Sequence, residues 1–237
     1  MLNEITREKN SKIDWQHVKV VIFDVDGTLY TQSRLRKKML YSLLSYYSLR
    51  PWRLNELLML HHFRAEREKR AGIHCPDMEN VQYSWCTDKG NFTAEQVRGV
   101  VQHWMFEFPL RYIHDCAYPG IRDFFASLRQ QEIKIAIYSD YKAQDKLKAM
   151  GLKADLVVSS TDPEIDRLKP DPAGLLQIVR KLNVLPQDCL FIGDRPELDG
   201  ICAERAGMPY LIVEKKPFDQ FDFFHKLDSE LNMLVTK

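Results

Sequence analysis

Two carboxylates stand two residues apart at the end of an apolar run, Val20-Val21-Ile22-Phe23-Asp24-Val25-Asp26-Gly27-Thr28-Leu29-Tyr30. While the backbone stays extended, side chains at that spacing leave the same face. Gly27 lets the chain turn and bring its backbone close to whatever the acids hold. Paired acids suit metal binding, nucleophilic attack or proton transfer. A solvated Asp-Gly turn after a strand would give the same short pattern. Later groups argue against that reading: Ser139 in Tyr138-Ser139-Asp140, Lys169 in Leu168-Lys169-Pro170-Asp171-Pro172, and Asp194 after Gly193. A hydroxyl, a fixed ammonium and a further carboxylate suit the binding of a phosphoryl group and a hard cation.

The elements that must position these groups are legible in the hydrophobic pattern. The β-branched run over 18–23 reads as a buried parallel strand, because a strand covered on both faces needs no polar alternation. From Pro119 onward helices and strands alternate, with strands expected over 133–138, 156–158, 189–192 and 210–213. That alternation predicts an α/β fold, a Rossmann-like parallel sheet core flanked by helices. Parallel strands bring their carboxyl ends to one edge, where Asp24, Asp26, Ser139 and Asp194 can converge.

Between the first and second strands the pattern turns helical. Leu35, Met39, Leu40, Leu43, Leu44 and Tyr47 recur at helical spacing, and a second helix over 54–70 carries Leu54, Leu57, Leu58 and His61 on one face. Thr93 and Gln96 form a capping-box pattern ahead of Val97, Val100, Val101, Trp104, Met105 and Phe108. The expected organisation is a catalytic core from 1–30 and 118–237, with an inserted α-helical cap over 31–117. Phe224, Leu227, Leu231 and Leu234 predict an amphipathic tail helix, docked on the core or serving a homodimer.

Composition narrows the function classes. A net charge of +1 on 237 residues supplies no field that would draw nucleic acid or an anionic membrane, so neither is expected as a partner. The polar stretch from Met1 to Gln16 lacks a signal-peptide core, and no run of about eighteen apolar residues occurs. A cytoplasmic protein with reduced thiols is the expectation, since the five cysteines form no paired spacing. His61, His62, His74, Cys75 and Cys86 match no zinc spacing. Cys189 and Cys202 read as buried, inert thiols. Arg34, Arg36, Lys37 and Lys38 either meet an anionic substrate or form a solvated helix face. Tyr83, Trp85, Phe92 and Trp104 are expected in the cap core.

Asp24-Val25-Asp26-Gly27-Thr28, Ser139, Lys169, and Gly193-Asp194 with Asp199 resemble, in order, the four motifs of the haloacid dehalogenase-like hydrolase superfamily. The helical insertion after the first motif resembles the branch that includes phosphoglycolate phosphatase-like members. The resemblance implies that Asp24 attacks phosphorus and becomes an aspartyl phosphate. It implies that Asp26 is the general acid/base, able to keep its proton until needed. Ser139 and Lys169 would hold the phosphoryl oxygens, with Thr28 also on the substrate. Mg2+ would be held by Asp24, the Asp26 backbone carbonyl and Asp194, with Asp199 either a further ligand or, the favoured reading, behind the ion. An acid at Asp26 points to phosphatase or phosphomutase rather than dehalogenase. The implied function is magnesium-dependent hydrolysis of a small phosphorylated metabolite. A sugar phosphomutase and a non-catalytic binding or regulatory protein stand as alternatives. Asp140 departs from the pattern, and its carboxylate is expected to turn from the phosphate or to pair with a cation.

Overall fold

The computed structural model describes residues 13–233. Met1–Lys12 and Leu234 therefore lie outside the described residues, as does whatever was expected of them. Five parallel strands form one sheet among the described residues: β1 (Val20–Phe23), β2 (Lys134–Ser139), β3 (Leu156–Ser159), β4 (Cys189–Gly193) and β5 (Tyr210–Ile212), in the order β3-β2-β1-β4-β5. β1 is central and wholly buried, which explains its unbroken apolar sequence. Phe23 pairs in register with Ile137 on one side and Ile192 on the other. That register puts Asp24, Ser139 and Asp194 just beyond or at the same edge of the sheet.

Helices cover both faces. On one, Phe23 packs with Phe124 and Phe125 of the helix Ile121–Gln130 and with Phe224 of the tail helix Phe223–Asn232. Phe224, Leu227 and Leu231 are buried, so the tail helix docks on the core. On the other face, Tyr138, Ile178, Phe191 and Cys202 form a second cluster.

The segment between β1 and β2 is helical, as expected. It holds α1 (Gln32–Ser48), α2 (Asn55–Lys69) and the helix Ala94–Val101, which continues into a wider turn over Gln102–Glu107. Both capping-box bonds form at Thr93: its Oγ1 accepts from Gln96 N at 3.2 Å, and its N donates to Gln96 Oε1 at 2.9 Å. A separate apolar cluster gathers Tyr47, Met59, Leu60, Phe63, Tyr83, Cys86 and Trp104. Phe92 packs at its edge, while Trp85 stands apart beneath Arg70.

The expected face of α2 is corrected. Leu54 and Leu58 are about half exposed, and the buried stripe is Met59, Leu60 and Phe63 with Glu56, Glu66 and Arg67. The stripe can be buried because its charges have partners: Glu56 accepts from Tyr47 and Arg53, and Glu66 from Lys69 and Arg70. Beyond α2 the chain runs along the loop that carries Lys169. Gly72 N donates to Lys169 O, Leu168 N to Ile73 O, and Cys75 N to Asp166 O. Asp166 in turn accepts from the backbone N of Asp77 and Met78. Among the described residues no helix is long and apolar enough to cross a membrane.

Candidate active site

The edge of the sheet gathers most of the expected groups. Asp24 follows β1 directly, and Lys169 reaches it from the loop before the helix Ala173–Leu182, with Nζ 2.7 Å from Asp24 Oδ1 and 2.8 Å from Asp199 Oδ1. The ammonium is 1% exposed and lies over the rings of Tyr138 and Phe191, so cation–π attraction adds to the ion pairs. Burial works against the Lys169 charge; Asp199 and Asp24 outweigh it and hold the group well above its ordinary value. The other Asp24 oxygen accepts from Thr28 Oγ1 at 3.0 Å. Thr28 is wholly buried and absent from the cleft lining. Its hydroxyl is thus engaged with the Asp24 carboxylate.

Asp26 has partners that the sequence reading did not identify. Lys146, from the helix Gln144–Met150, reaches both Asp26 carboxylate oxygens at 2.5 and 2.7 Å, and Tyr30 OH donates to the same carboxylate. Burial alone would raise Asp26; Lys146 and Tyr30 outweigh it and hold the carboxyl below its ordinary value. This runs against the expectation of a retained proton, since Lys146 and Tyr30 favour the Asp26 anion. Lys146 lies in no motif. Its one signal is its place in the first helix after Ser139, which returns to the strand edge.

Three acids form the candidate metal centre. One oxygen each of Asp24, Asp194 and Asp199 lies within 4.8 Å of the others. Asp194 Oδ1 is buried with no hydrogen-bond partner, an arrangement that costs stability unless something else contacts it. Burial and the nearby Asp199 push Asp194 up to about 6, and burial pushes Asp24 up against the pull of Lys169. A hard cation would relieve that repulsion, so the donor set fits Mg2+. A Cβ on Gly27, at φ +104°, would come 2.4 Å from Asp194 Oδ2, so glycine is needed for this close approach. Asp199 is already engaged: Oδ1 takes Lys169, and Oδ2 accepts from the backbone N of Asp194 at 3.1 Å and of Arg195 at 3.0 Å. The Asp26 carbonyl accepts from the Gln32 amide, which leaves its second lone pair for an ion.

Ser139 ends β2, nearly buried, and its Oγ accepts from Tyr141 N at 3.4 Å. Like Thr28 it does not line the cleft. The Asp140 carboxylate accepts from Ser160 Oγ at 3.2 Å, while its carbonyl accepts from Arg67 of α2. Of the basic group in α1 only Arg36 lines the cleft; Arg34 stacks on Phe218 and Lys38 pairs with Asp115. The cleft itself, about 760 Å³, opens between the sheet edge and the helical segment. Arg195 and Glu68 close one side with a bidentate pair at 2.8 and 3.0 Å.

Residues 18–207 match the family model of the haloacid dehalogenase-like hydrolases. The Bacillus subtilis (strain 168) protein YhcW, provisionally named a phosphatase, is 32% identical over 134 residues, or 53% of this chain. A phosphoglycolate phosphatase of Pseudomonas putida (strain KT2440) is 32% identical over 97 residues, or 38% of this chain. The chain spans 60% of the first relative's length and 34% of the second's. The crystal structure of a 2-haloacid dehalogenase from Pseudomonas syringae pv. Tomato DC3000 superposes with a TM-score of 0.61 at 16% identity. That superposition covers 92% of this chain and 99% of the other, and is a likeness of fold.

Proposed function

Because this chain belongs to the haloacid dehalogenase-like hydrolases, we propose that it is a phosphatase that splits a small organic phosphomonoester through an aspartyl phosphate on Asp24. The observation that carries the reading is the convergence of Asp24, Asp26, Lys169 and Asp194 on one cleft. Asp24 attacks phosphorus and the P–O bond to the alcohol breaks, so one difficult displacement becomes two easier ones. Thr28 and Lys169 orient the Asp24 carboxylate, and Lys169, which lines the cleft, stabilises charge on the transferring group.

Asp26 serves both halves. A phosphate dianion entering the site raises the proton affinity of the neighbouring carboxyl, and the proton so acquired passes to the leaving alcohol. Once the alcohol has left, Lys146 and Tyr30 restore the anion, the form that takes a proton from the attacking water. Asp24, Asp194 and the Asp26 carbonyl would hold Mg2+, with Asp199 behind it, and the ion would neutralise charge on the phosphoryl oxygens. Residues 31–117 act as the cap that selects the substrate. Phosphate release from a phosphomonoester panel with magnesium tests this reading. Asp24→Asn should lower release by at least a thousandfold with the melting temperature preserved; retained turnover would remove Asp24 as the nucleophile.

A further inference from the structure

The wall of the cleft opposite Asp24 is apolar. Met39 and Leu43 of α1, Leu57 and Leu60 of α2, and Met105 and Phe106 of the following turn face the same space. Apart from Leu60, which is buried, these side chains are half-buried, so they keep apolar surface on the cleft side. Several of the polar groups beside them are already engaged by the protein, while His61 and Tyr141 add two further polar groups to the lining. Arg67 donates to Gln82 and the Asp140 carbonyl and lies on the Tyr141 ring. Glu68 pairs with Arg195, and Arg36 donates to Gln32. Arg64 lines the same cleft with no ion pair among the described residues, a positive charge suited to drawing in an anionic phosphate.

A polyhydroxylated sugar or a short hydroxy acid placed against such a wall would lose hydrogen bonds to water and find few in return. A hydrocarbon or aromatic body would gain by leaving water. The cleft volume of about 760 Å³ also exceeds what a two-carbon leaving group fills. We propose that the substrate is the phosphomonoester of a bulky, mainly apolar primary alcohol, its body lying against Leu43, Leu57 and Met105. This proposal rests on the phosphatase reading of the same site.

The test compares phosphoglycolate, glycerol 3-phosphate and glucose 6-phosphate with octyl phosphate and 2-(1-naphthyl)ethyl phosphate. All are esters of primary alcohols, and the polar alcohols are the more acidic, so leaving-group chemistry works against the proposal. The apolar esters should show kcat/KM at least tenfold higher. Leu43→Asn and Leu57→Gln, each checked for a preserved melting transition, should reduce that preference at least fivefold. Binding of the same esters to Asp24→Asn should follow the same order. Equal or better turnover of the polar esters overturns this proposal alone, as does an unchanged preference in both folded variants. Silence toward every ester, p-nitrophenyl phosphate included, overturns the phosphatase reading with it.

Discussion

Replacing Lys146 with methionine removes a charge while leaving most of the side-chain volume in place. In the native protein its ammonium sits 2.5 and 2.7 Å from the two Asp26 oxygens, and the paired side chains are 8% and 25% exposed. Two unit charges about 4 Å apart attract by about 4 kcal/mol at an effective dielectric constant of about 20. Asp26 is a quarter open to water and also accepts from Tyr30, so screening reduces the expected coupling to about 2 kcal/mol. The folded-state pKa of Asp26 is depressed, so this stabilisation is complete above pH about 4 and fades as pH falls through the folded value. Thermal unfolding at pH 7 of Lys146→Met, Asp26→Asn and the double variant isolates the pair. For a chain of this length, about 2 kcal/mol lowers the melting temperature by about 4–8 °C. Removing Lys146 also lets burial dominate at Asp26, so rapid quenching should trap more phosphoenzyme than in the native protein. A coupling energy below about 0.5 kcal/mol refutes the ion-pair argument.

Gly27→Ala forces a Cβ onto Asp194 at a positive φ and should cost about 1–3 kcal/mol by urea unfolding, with loss of magnesium-stimulated turnover. Unchanged stability and turnover would show that the close approach to Asp194 is unnecessary. Magnesium at a hundred times its dissociation constant should stabilise the native chain by about 2.7 kcal/mol, while Asp194→Asn should lose this shift in the melting temperature. A variant that still responds fully would dissociate Asp194 from the ion. Burial pushes Cys189 and Cys202 up to about 12, so both remain thiols at pH 8. Brief iodoacetamide treatment of the native protein, read by mass spectrometry, should therefore mark Cys75 first, since it alone among the cysteines is not buried.

The parallel sheet and the placement of Asp24, Ser139 and Asp194 at its edge were legible because parallel strands end together. An apolar run buried on both faces ends where its polar residues begin, and neighbouring strands in register end together. Lys169 was legible through its setting among prolines. Lys146 was not: nothing local separates it from Lys142 or Lys148, and only the path of its helix brings it to Asp26. The contact of Thr28 with Asp24 was not legible for a related reason. A hydroxyl beside the nucleophile points to substrate or to carboxylate depending on one turn, and spacing does not encode that turn. The buried face of α2 was missed because Leu54 and Leu58 fit an apolar stripe, whereas the stripe that packs includes charges satisfied by distant residues such as Tyr47.

The bonds that join the stretch after α2 to the Lys169 loop constrain how the cleft can admit a substrate. The helical segment leaves the sheet after β1 and returns to it before β2, and those two junctions alone would let it swing like a door. The bonds from Gly72, Leu168 and Cys75 latch that door on the core. Arg67 on the Asp140 carbonyl, Glu68 on Arg195, and Asp166 on the backbone N of Asp77 and Met78 add to the latch, so opening it means giving up more than these three bonds. The latch also grips the backbone of Lys169 itself, so each excursion slackens the support of the cation that steadies Asp24. Admission and readiness to react are thereby opposed: the site is fully braced only when the door is shut.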